Sequence, residues 1–107
     1  MANDYENDND LDRGVITETE KKTKKPPLYK VLLHNDDYTT MEFVVYILQS
    51  VFHHDDTKAT QVMLHVHRKG MGVAGVYTCE VAETKVDKVH SLAKQHQFPL
   101  KCSMEEA

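Results

Sequence analysis

The sequence predicts an α+β domain: a small three-stranded antiparallel sheet packed against three helices, in the order β-α-α-β-α-β, behind a disordered N-terminal tail. Three observations lead there. Short β-rich runs stand at 28–33, 71–77 and 100–104, too few for a doubly wound parallel sheet. Between them lie three stretches with apolar residues at helical spacing. The first 25 residues, by contrast, carry almost no apolar periodicity.

The tail comes first. Residues 1–20 hold seven acidic side chains against Arg13 alone, a composition that cannot offset the entropy of ordering. The basic run Lys21-Lys22-Thr23-Lys24-Lys25 and the extended Pro26-Pro27 then lead into the domain, so the expected division is a tail over 1–25 and a core domain over 26–107. Leu28-Tyr29-Lys30-Val31-Leu32-Leu33 reads as the first strand, stopped by the turn-forming Asn35-Asp36-Asp37. Thr39-Thr40-Met41-Glu42 has the form of a capping box with Thr39 as N-cap. A helix is therefore expected to about Phe52, with Met41, Val44, Val45 and Leu48 on one face.

Asp55 or Asp56 caps a second helix over 57–69, whose stripe is Ala59, Val62, Met63 and Val66, and Gly70 stops it. The strand that follows has glycines suited to a bulge or close packing. Thr78 caps the third helix, which buries Ala82, Val86, Val89 and Ala93 and runs to about Gln97. Pro99 precedes the last strand.

Composition excludes several functions. A chain of 107 residues supports one small core and leaves little room for a deep catalytic cavity. Its formal charge of −4 argues against nucleic-acid binding, which needs Lys and Arg on phosphates. No apolar run is long enough to span a membrane, and the first residues lack the pattern of a signal peptide, so a cytoplasmic protein is expected. Cys79 and Cys102 are too far apart for a CxxC motif and read as free thiols.

The loop at Asn35-Asp36-Asp37 would be an ordinary Asx-turn were it not for His67, which projects from the side of the second helix that carries Met63 and Val66. If the first two helices pack side by side, Met41, Val44, Met63 and Val66 line an apolar hollow rimmed by Asn35, Asp36 and His67. A free α-ammonium with three N–H donors beside a hydrophobic side chain suits such a site. Methionines make an adaptable lining for it, although plain core is the simpler account of the same stripe.

The motifs NDDYT-x-MEFV (35–44) and EVAETKV (80–86), with Pro26-Pro27, Tyr29-Lys30-Val31, Ala59-Thr60-Gln61, Met63, Val66-His67, Gly75-Val76 and Pro99-Leu100, resemble ClpS, the family of adaptors of the bacterial Clp protease. The resemblance covers about Pro26 to Ala107. It implies a non-enzymatic, cofactor-free monomer that binds N-degrons, proteins beginning with Phe, Tyr, Trp or Leu, and hands them to the N-terminal domain of a ClpA-type AAA+ unfoldase. By the same resemblance Asn35, Asp36 and His67 hold the α-amino group, and Met41, Val44, Met63, Val66 and Leu100 form the side-chain pocket. Glu80 and Lys85 face the unfoldase, and the tail serves as the segment the unfoldase pulls. One departure is Thr40, where many relatives carry Pro; it should cost a little rigidity at the pocket rim.

Three alternatives stand beside this reading. Seven histidines, among them His53, His54, His65 and His67, raise a metal site, but His65 and His67 point apart on a helix. Cys79 or Cys102 with a histidine raises a small hydrolase, for which no oxyanion hole can be identified. A peptide-interaction domain indifferent to the amino terminus is the third.

Overall fold

The computed structural model describes residues 25–107, so the expected tail, apart from Lys25, lies outside the described residues. The elements are β1 (Leu28–His34), α1 (Met41–Ser50), α2 (Asp56–Lys69), β2 (Met71–Thr78), α3 (Cys79–Gln95) and β3 (Lys101–Glu106). This is the expected α+β order. β1 is the middle strand, paired antiparallel with β2 on one side and β3 on the other.

Alternation along β1 sends Val31 and Leu33 into the core, where both are fully buried among Ile47, Leu48, Val51 and Val89. The helices cover that one face. Between Val31 and Leu32 the register with β2 slips, so Ala74 has no partner on β1 and forms a bulge. The freed Ala74 carbonyl oxygen accepts from His54 Nε2 at 2.6 Å, which ties the α1–α2 loop to β2. Beside the bulge, the ring of Tyr77 occupies the space that a Cβ at Gly75 would fill.

The helix ends show where side-chain chemistry overrides pattern. Thr40, not Thr39, caps α1: its hydroxyl oxygen accepts from the Phe43 N–H at 3.1 Å. Thr39 is diverted, because its own hydroxyl donates to Asp36 Oδ2 at 2.7 Å. With Thr40 as the cap, Glu42 is one position too early to close a capping box. The buried face of α1 is Phe43, Val44, Ile47 and Leu48, whereas Met41 is exposed and Val45 half-buried. Residues 43–48 are apolar without a break, so spacing alone could not choose the face.

Asp55 caps α2 by accepting from the Lys58 N–H, and the helix ends on Gly70, whose φ of 94° is open to glycine at little cost. Its four predicted stripe residues are all buried. Thr78 stands at the N-cap of α3 but its side chain makes no capping bond, and α3 stops at Gln95 rather than Gln97. There Gln97 turns to φ 63° while the Phe98 N–H reaches back to the Ala93 carbonyl at 2.9 Å. Val86, expected on the buried side of α3, is half-buried. β3 lies slightly later than expected, starting at Lys101.

Candidate functional site

The end of β1, the start of α1 and the last turns of α2 enclose a cavity of about 380 Å³. Its wall is apolar, made by Met41, Val44, Met63 and Val66, and its mouth carries Asn35, Asp36 and His67. Seven of the eight residues expected at the recognition site thus meet around one hollow. Leu100, 4% exposed, belongs to the core and is not among the residues lining it.

Local bonds set the mouth. The Asn35 N–H donates to the carbonyl of Gly70 at 2.8 Å, which fixes the loop against the end of α2 and sets Asn35 near His67. Asp36 is braced by three donors: Oδ1 accepts from the Tyr38 and Thr39 N–H groups at 2.8 and 2.7 Å, and Oδ2 accepts from the Thr39 hydroxyl. Partial burial pushes the carboxyl upward, but the Thr39 hydroxyl and the two N–H groups outweigh it and hold Asp36 below the ordinary carboxylate range. A fixed, ionised carboxylate therefore faces the mouth. His67 is exposed on the last turn of α2, directly after the buried Val66.

Thr40, expected at the rim, lines the cavity, and so do Asp37, Tyr38 and Thr39, to which sequence reasoning gave no role there. The signal for Thr39 was present: a hydroxyl residue three positions after an Asp in a turn is a ready donor to that carboxylate. Met41 is 43% exposed, so it stands at the opening, whereas Val44, Met63 and Val66 are buried and form the floor.

Glu80 and Lys85 occupy a different face, on the first turns of α3. There they line a hollow of about 450 Å³ together with Val51, His53 and Val81. Glu80 is exposed. Lys85 is half-buried, and its ammonium donates to the Val51 carbonyl at 2.7 Å, satisfying the end of α1, while lying 5.4 Å from the centre of the Tyr77 ring.

The rival chemistries find different settings. Among the described residues, no group of three or more His, Cys, Asp or Glu side chains is placed to hold a metal ion. Cys102 is buried, which pushes its thiol up to about 12, and His90 Nε2 meets its backbone N–H at 3.1 Å rather than the thiol. Cys79 is exposed, its thiol 4.0 Å from the Glu83 carboxylate. No described helix is long and apolar enough to cross a membrane.

A small two-layer α+β scaffold with a preset polar mouth over an apolar hollow defines a recognition module. Comparison with known proteins makes the class specific. The family model of the ATP-dependent Clp protease adaptor protein ClpS matches residues 24–103. A ClpS of Desulfatibacillum aliphaticivorans is 64% identical over 91 residues, covering 85% of this chain and 88% of that one. The ClpS of Myxococcus xanthus is 57% identical over 107 residues, 98% of this chain and 96% of that one. Among solved structures, Agrobacterium tumefaciens ClpS2 bound to L-phenylalaninamide superposes with a TM-score of 0.75 at 41% identity, over 78% of this chain and all of that one. The chain belongs to the ClpS family of Clp protease adaptors.

Proposed function

We propose that this adaptor binds proteins through a free α-amino group and a bulky apolar first side chain, Phe, Tyr, Trp or Leu, and delivers them as N-degrons to a ClpA-type AAA+ unfoldase. One observation carries the reading: a single hollow sets a braced carboxylate, an amide and an imidazole at its mouth and two methionines and two valines on its wall. L-Phenylalaninamide, the ligand of the Agrobacterium relative, has the matching chemistry. It is an amine beside a benzyl group, with the carboxamide standing in for the first peptide bond.

In this reading Asp36 supplies the charge, Asn35 and His67 the further acceptors, and a three-donor ammonium finds three partners. Met41 closes the rim over the first side chain, and Val44, Met63 and Val66 receive it. Leu100 supports that wall from the core. Glu80 and Lys85 present the face on which the unfoldase's N-terminal domain docks. The chain works as a monomer in the cytoplasm without a nucleic-acid partner. Residues 1–25, acidic and poor in apolar side chains, serve as the handle that the unfoldase pulls, and residues 26–107 form the cargo-holding core.

Fluorescence anisotropy with peptides that differ only in the first residue, each with a free and an acetylated amine, tests the reading. Binding should require both the free amine and a bulky first side chain. Equal binding of the acetylated peptides would replace it with a general peptide-interaction domain.

A further inference from the structure

The helices cover one side of the sheet, and the other side is only half polar. Paired residues of an antiparallel ladder share a face, so the register Leu28↔Thr78, Lys30↔Val76, Leu32↔Val73 and His34↔Met71 places all eight opposite the core-facing Val31 and Leu33. β3 adds Lys101, Ser103 and Glu105 to that outer face. A solvated sheet face ordinarily alternates apolar-in with polar-out, yet β2 turns Met71, Val73 and Val76 outward. With Leu28, these are between 41% and 48% exposed, grouped around Leu32, and β2 is an edge of the sheet. A contiguous exposed apolar row of this kind marks an interaction surface.

Its position identifies the occupant. The row starts at Met71, next to Gly70, whose carbonyl holds the Asn35 N–H, and Met71 pairs with His34, the residue before Asn35. From there it follows the seven residues of β1 back to Leu28, roughly 20 Å at about 3.3 Å per residue. A polypeptide whose first residue sits in the cavity must lead its next residues out past that mouth, and about six extended residues span the same length.

The geometry points to the outer face of β1 and β2 as a second docking surface, for an apolar stretch of the substrate lying a few residues after its N-terminal residue. This rests on the reading of the cavity as the site of the N-terminal residue. The cavity reads the first residue; the row reads a Val-, Leu- or Ile-containing segment that an unfolded or flexible start of chain can lay down. Lys101, Ser103 and Glu105 bound the row on the β3 side, where the segment meets polar side chains.

Peptides of about twelve residues, all starting with a free Phe, test the inference by anisotropy, with positions 4–8 either Val/Leu-rich or Ser/Gly-rich. The apolar series should bind about 5- to 10-fold tighter, an effect that burial of two or three half-exposed apolar side chains can supply. The Val73→Ser/Val76→Ser variant should abolish that advantage while binding phenylalaninamide as the unaltered protein does. Equal affinities for the two series, or an advantage that survives in the variant, overturns the inference. So does a mass in solution of two chains that falls to one in the variant, which would assign the face to a second copy. Loss of phenylalaninamide binding by the unaltered protein would instead overturn the reading of the cavity.

Discussion

The mouth of the cavity and the face around Glu80 and Lys85 are both polar groups beside a hollow, yet they are built in opposite ways. At the mouth, backbone and hydroxyl donors converge on Asp36 and leave an ionised carboxylate presented to the cavity. On α3 the cation is already spent on the fold, since Lys85 donates to the carbonyl of Val51, the C-cap of α1, and lies over Tyr77, while Glu80 stands exposed. Charge at the first site is fixed in place beside an open hollow, the arrangement that the proposed binding of an ammonium needs. At the second, one charge shapes the surface and the other is free to meet a partner.

The largest effect expected from this contrast is at Asp36. Asp36→Ala removes the only formal anion among the three groups proposed for the amine and leaves the ligand's ammonium under-paired. Truncating one member of such a charged contact costs about 2–4 kcal/mol, roughly 30- to 1,000-fold in affinity. Titration of a Phe-starting peptide by anisotropy reads it directly. Unchanged affinity would mean that Asp36 serves only the turn.

The two residues on α3 should separate next. Lys85→Met should weaken docking to the unfoldase's N-terminal domain and also destabilise the fold by about 1 kcal/mol, because the Val51 carbonyl loses its donor. For a domain of this size that is a fall in melting temperature of about 4–8 °C. Glu80→Ala should weaken docking without the thermal shift. Equal thermal shifts in both variants would erase the difference between the two charges.

How far the sequence exposed these regions follows from the kind of bond each uses. The stripe of α2 was legible because polar residues at 57, 58, 60, 61, 65 and 67 leave Ala59, Val62, Met63 and Val66 at helical spacing, and the Gly70 stop because a helix end favours glycine at a positive φ. The cavity was legible because each half carries its own signal, a strand-end carboxylate with a rim methionine on one side and a histidine beside a buried valine on the other, and the resemblance to ClpS joined the halves. What escaped depends on contacts between distant residues or on competition between adjacent ones. Nothing in the chain near Lys85 announces Val51, 34 residues away. Thr39 and Thr40 can each cap a helix, and only the demand of Asp36 for the first leaves the second at the cap. Leu100, assigned to the pocket from resemblance, is buried in the same core as Val44, Met63 and Val66 but is not among the residues lining the cavity.

Met41 gives a smaller effect that concerns selectivity rather than strength. It stands at the opening of the cavity, and β-branched side chains widen immediately beyond Cα, so a thioether there should obstruct Ile and Val while passing Leu and Phe. Met41→Ala should gain binding of Ile- and Val-starting peptides with little change for Phe. Continued rejection of both by the folded variant would move the gate to another residue.

The smallest effect tests whether the preparation of Asp36 matters in itself. Thr39→Val keeps the size of the side chain and both backbone donors but removes the hydroxyl that reaches Oδ2. One such bond is worth about 1 kcal/mol, or roughly 5-fold in affinity if it serves to orient the carboxylate. The sign of the pH effect follows from the direction of the shift. Asp36 is held below its unfolded value, so its contribution to stability is present above that value and is lost as pH falls through the folded one. Without the hydroxyl the folded value rises, and both the loop's stability and the attraction for an ammonium should begin to fail at a higher pH. Carboxyl-detected NMR titration of Asp36 in the two proteins, alongside peptide affinity across the acid range, measures both consequences. An unchanged Asp36 titration with a 5-fold loss of binding would show that Thr39 touches the ligand directly, whereas a shifted titration with full affinity would show that orientation of the carboxylate is supplied by the backbone alone.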